Sequence, residues 1–176
     1  ARRVLPSWDE PSYKASFTLQ AVVPADEMAV SNMPVKARVD QADGKSLVTF
    51  EPSPQMSSYL LFFSMGDFDR ATRRIGESEV GVITKKGDVD KAGFALDSAA
   101  QILPWYNDYF GMPYPLPKLD NIAAPGRSQF FSAMENWGAI FTFENSLLFD
   151  PAISNESDKQ RIFVVAAHEM AHQWFG

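Results

Sequence analysis

The chain has 176 residues, 45% apolar and 22% charged, which fits one ordinary domain or two small ones with enough apolar material for a core. Sixteen Lys and Arg against 22 Asp and Glu leave a net charge of -6 with no long basic cluster, which argues against nucleic acid as a partner. There are no cysteines, so disulfides, thiolate metal sites and cysteine nucleophiles are excluded, and the compartment stays open because such a chain suits either redox environment.

In chain order, residues 12 to 23 alternate: Tyr13, Ala15, Phe17, Leu19, Ala21 and Val23 are apolar, and Lys14, Ser16, Thr18 and Gln20 are polar. Period two predicts one strand with one buried face, ended by Pro24. Val35 to Val39 and Leu47 to Phe50 read as two more strands joined by a turn at Asp43-Gly44. The apolar run Tyr59 to Met65 predicts a strand buried on both faces. Residues 1–70 are therefore expected to form a β-rich unit. Arg70, Arg73 and Arg74 suggest a solvated connector, followed by a strand at Val80 to Thr84.

Helical spacing then sets in from Lys91 to Phe110, with Ala95, Ala99, Ile102, Leu103, Tyr106 and Phe110 on one side. Pro104 should kink this helix, or the helix starts later. The segment Gly111 to Pro117 carries three prolines and must be an extended, stiff loop. Leu119 to Ala124 reads as a strand, Pro125-Gly126 as a turn and Ala133 to Phe143 as strand-like. Ser157 and Gln160 have capping-box spacing and would open a final helix, Asp158 to Phe175. No apolar run reaches membrane-spanning length. The ends, Ala1 rather than Met and Gly176 directly after a helix-like run, suggest a piece of a larger protein.

The only two histidines, His168 and His172, flank Glu169 in His-Glu-Met-Ala-His. A spacing of four puts both imidazoles on one helix face, one turn apart, where both reach one ion. Glu169 then stands beside the ion, ready to take a proton from an acidified water, and zinc suits this donor set best. Small and apolar neighbours (Val164, Val165, Ala166, Ala167, Ala171) predict a buried helix, in which two histidines need polar partners. Catalytic zinc takes three protein ligands as a rule. Glu156 is too far along the helix, so the third ligand is expected after Gly176.

Together with Ser132-Ala133-Met134-Glu135-Asn136-Trp137-Gly138, this motif resembles the aminopeptidase N-like family of zinc metallopeptidases, the gluzincins. Three further segments carry the likeness: Ala1-Arg2-Arg3 through Trp8-Asp9-Glu10-Pro11, Tyr109 to Lys118, and Ala167 to Gly176. The resemblance implies an α+β fold, in which the end of a β-rich N-terminal domain (1–70) precedes the first part of a thermolysin-like zinc peptidase domain (71–176). It implies His168 and His172 as ligands of one Zn2+ and Glu169 as general base. It further implies that Glu135 binds the free α-amino group of a peptide, with Ser132, Ala133, Met134 and Asn136 alongside the substrate.

The implied activity is zinc-dependent hydrolysis of the N-terminal residue of peptides with a free N-terminus. A zinc endopeptidase using the same helix and a non-catalytic scaffold relative are the alternatives. Ser132 stands where the family usually has Gly, which permits backbone angles Ser resists. The third ligand and a transition-state tyrosine are expected beyond residue 176, and a further amine-binding acid before residue 1. Residues 1–176 alone are therefore expected to be inactive, or nearly so.

Overall fold

The structure is a computed structural model and describes residues 4–175. Ala1, Arg2, Arg3 and Gly176, which carried parts of the resemblance and the expectation of cut ends, lie outside the described residues. The chain divides into two compact units between Asp67 and Phe68.

The first unit holds β1 (Lys14–Ala15), β2 (Gln20–Pro24), β3 (Met28–Ser31), β4 (Val35–Asp40), β5 (Lys45–Phe50), β6 (Met56–Ser57) and β7 (Phe63–Gly66). They form an antiparallel sheet in the order β2-β5-β4 and two ribbons, β1-β6 and β3-β7. Between β4 and β5, Asp43 and Gly44 take φ of 64° and 67°, the left-handed pair that a tight hairpin turn demands. In β5, alternation buries Ser46, Val48 and Phe50. Val23, Ala29, Val48 and Phe50 make the core, with Leu19 and Ala21 packed on it.

Two expectations for this unit fail. The alternating stretch 12 to 23 is two short strands with an irregular link, because Phe17 N–H donates to the Ser53 hydroxyl at 2.9 Å instead of joining a ladder. The apolar run Tyr59 to Met65 is not a doubly buried strand. It begins in a 3-10 turn, Ser58–Leu60, and ends as β7, whose Phe63 and Met65 are more than two-fifths exposed.

The second unit holds β8 (Phe68–Ile75), β9 (Ser78–Lys85), α1 (Gly93–Phe110), β10 (Lys118–Ala124), β11 (Ala133–Met134), β12 (Ala139–Phe143) and α2 (Glu156–Ala171). The five strands form one mixed sheet, ordered β11-β12-β10-β9-β8, parallel in the middle and antiparallel at both edges. Helix α1 buries Ala95, Leu96, Ala99, Ile102 and Leu103, packing on β8, β9 and α2. It starts at Gly93 and runs through Pro104, which only removes the N–H that would reach the Ala100 carbonyl.

The arginines are not in a solvated connector. Arg70 lies in β8 and reaches across β9 to Asp120 on β10, with Nη2 and Nε at 2.7 and 2.9 Å from Oδ1. Gly81 of β9 leaves the space for this crossing. The stretch Ala133 to Phe143 is two strands, because Gly138, at φ 77°, turns the chain back on itself.

Helix α2 is capped by Asn155 rather than Ser157. The Asn155 side chain accepts from Ser157 N–H and Asp158 accepts from Asn155 N–H, each at 2.8 Å. The helix ends at Ala171, short of the predicted Phe175. It is amphipathic rather than buried: Ile162, Ala166, Glu169 and Met170 face in, whereas Val164 is 64% exposed. Trp174 fixes its far end, stacking on Phe110 with centroids 5.3 Å apart and donating Nε1–H to the Met112 carbonyl at 2.8 Å. Tyr106 adds an O–H bond to the Ala167 carbonyl at 2.9 Å. No helix among the described residues is long and apolar enough to cross a membrane.

Candidate active site

One helical turn brings the two imidazoles together. His168 Nε2 and His172 Nε2 stand 3.2 Å apart, with the rings near perpendicular. Two nitrogens each ~2.0–2.1 Å from one tetrahedral ion stand roughly 3.3–3.4 Å apart, so the pair fits a single zinc. His172 Nδ1 lies 3.3 Å from the Phe175 carbonyl. A proton on Nδ1 donated to that oxygen would leave the Nε2 lone pair available to a metal ion. Among the described residues no group of three or more His, Asp or Glu side chains gathers as a metal cluster. Among the described residues the nitrogen donors that converge here are the two imidazoles.

Glu169, beside His168 on the same pocket, is only 6% exposed. Burial pushes its carboxyl up to about 7; the nearby Glu135 carboxylate adds to the rise, and His172 opposes it. Glu135 and Glu169 thus face one cleft. That cleft is a pocket of about 410 Å³ lined by Ser132, Ala133, Glu135, His168 and Glu169, with Phe130, Phe131, Val164 and Val165 as apolar walls. His172 abuts His168 and is not among the residues lining the pocket. Met134, in β11, and Asn136, 6% exposed, do not line it.

β11 is an edge strand, joined on one side to β12 through Ala133↔Thr142 and Met134↔Phe141. An edge strand beside a pocket is a place where an extended peptide can add. The apolar walls were not singled out from the sequence. A signal for half of them was present, since Val164 and Val165 precede His168 by four and three positions and share its face. Phe131 rests on Phe143, and Phe143 on Phe141, with centroids 5.6 and 5.1 Å apart. Phe141 and Phe143 are half-buried.

Residues 1–60 match the model of the peptidase M1 N-terminal domain, and residues 94–176 match that of the peptidase family M1 domain. The chain belongs to peptidase family M1. Over its whole length it is 43% identical to Aminopeptidase N of Acetobacter pasteurianus, of which it spans 49%. It is 44% identical to Probable aminopeptidase 2 of Sulfurisphaera tokodaii and 42% to Aminopeptidase M1 of Arabidopsis thaliana, spanning 22% and 20% of them. This M1 chain therefore covers half or less of each of these relatives. A β-rich stretch that matches the M1 N-terminal domain is followed by the start of the family's catalytic domain.

Proposed function

We propose that the protein carrying this chain is a zinc-dependent aminopeptidase that releases the N-terminal residue of peptides. The observation that carries the reading is the convergence of His168 and His172 Nε2 at 3.2 Å beside a pocket that Glu135 and Glu169 share. The names of the M1 relatives, all aminopeptidases, support it.

His168 and His172 would hold the zinc, which when bound polarises a carbonyl and acidifies a water. Glu169 takes the proton of the attacking water on its carboxylate and returns it to the leaving amine. Its burial beside the histidines places that carboxylate within the pocket where the water would attack. Glu135 receives the substrate ammonium by a charge-assisted hydrogen bond. With that end of the cleft occupied, the first peptide bond is the one presented to Glu169. The backbone of Ser132, Ala133 and Met134 holds the peptide in extended form along the edge of the sheet.

The test is a pair of peptides of one sequence, one with a free amine and one N-acetylated. The free peptide is expected to be cut and the acetylated one spared. Glu135→Ala should cost the free peptide about 10- to 100-fold in kcat/KM, the worth of a charge-assisted hydrogen bond. Equal cleavage of both peptides would indicate an endopeptidase and overturn the reading.

A further inference from the structure

One buried amide ties the strand carrying Glu135 to the helix carrying the histidines. Gln173 follows His172 and is 5% exposed. Its Oε1 accepts from Gly138 N–H at 3.1 Å. Its Nε2 donates to the carbonyls of Glu135 and Glu169, both at 3.3 Å. The carbonyl of Gly138 accepts from Lys118 Nζ at 2.8 Å, and Lys118 pairs with Asp120 at 2.9 Å. Gly138 is thus fixed through both its backbone polar groups, and Gln173 joins it to the backbone of both carboxylate residues lining the pocket.

We propose that Gln173 is a positioning residue for amine recognition. It sets the separation between the Glu135 carboxylate and the His168–Glu169–His172 face of α2. This rests on the reading of Glu135 as the amine anchor. The requirement is tight because a substrate's α-amino nitrogen and its scissile carbonyl carbon are only two covalent bonds apart. A glutamine amide supplies a donor and an acceptor from one plane. Glutamate keeps only the acceptor and methionine keeps neither.

The experiment is a double-mutant cycle in the protein that carries this chain, using Gln173→Met, Glu135→Ala and both together. It reads kcat/KM on a free-amine peptide alongside zinc content. Gln173→Met is expected to lose about 10²-fold, the scale of a misplacement of about 1 Å, with zinc content unchanged. In the Glu135→Ala background the same change should cost no more than about threefold further, because its target is already gone. Gln173→Glu, which keeps the bond from Gly138 N–H, should lose activity in the same way, and it carries the cycle if Gln173→Met does not fold.

The proposal is overturned if Gln173 variants stay within about threefold of wild type while Glu135→Ala is impaired. It is overturned equally if the two losses add in full, which is what general damage to the fold produces. A Glu135→Ala protein that handles free-amine peptides normally removes the amine-anchor reading itself, and it does so on a separate arm of the cycle.

Discussion

Gly81→Ala should destabilise the second unit by about 3 kcal/mol. A Cβ at Gly81 would lie 2.2 Å from Asp120 Oδ1 and 2.9 Å from Arg70 Nε, inside any tolerable contact. Asp120 is 2% exposed and its carboxylate serves both Arg70 and Lys118, so it cannot move without breaking these pairs. Lys118 is 7% exposed, and burial already lowers its proton affinity against the pull of Asp120. Breaking a buried pair of this kind costs about 3–5 kcal/mol. The better strand behaviour of Ala over Gly returns roughly 0.5–1 kcal/mol.

Chemical denaturation gives the difference directly, and heating should show a fall in Tm of about 10 °C. Gly93→Ala is the matched control. Its backbone is helical at φ -53° and ψ -50°, and beyond its chain neighbours and its own helical turn no heavy atom lies within 4 Å of the added Cβ, so it should be neutral or slightly stabilising. A loss below about 1 kcal/mol for Gly81→Ala would show that the crossing of β9 does not depend on the absence of a side chain.

Glu169→Gln should stabilise the metal-free protein at pH 8 by about 3 kcal/mol and leave it unchanged near pH 4, as read by denaturation in chelator. The carboxyl rises from 4.5 to about 7 on folding, so the folded state resists ionisation. The cost is absent below about 4.5, grows as pH rises towards 7, and is complete above it; a pH-independent effect would refute the assigned burial. Trp174→Phe should cost about 1–2 kcal/mol, since it keeps a ring against Phe110 but leaves the Met112 carbonyl without its donor. A Tm equal to wild type would remove that bond from the account.

What the sequence revealed depended on the range of the signal. The hairpin at Asp43-Gly44, the strands β9 and β10, and both helices follow from local pattern and turn chemistry, and all are present. The catalytic-type motif was legible for the same reason, because a spacing of four on a helix dictates which side chains meet. Failures came where distant groups decide. The run Tyr59 to Met65 is apolar, but its partner is the single short strand β3, so β7 keeps exposed side chains. Arg70 reads as a surface residue until Gly81 and Asp120 are set beside it. Gln173 is an ordinary glutamine in the sequence, and its contacts with Glu135 and Gly138 span 38 and 35 positions.

The most direct test concerns the carboxylate between the two histidines. Turnover of a free-amine peptide and zinc stoichiometry should be measured together for wild type and Glu169→Gln in the protein that carries this chain. The account predicts unchanged zinc with turnover reduced by roughly 10²–10⁴-fold, the usual share of a general base. Zinc retained with turnover within tenfold of wild type would contradict it.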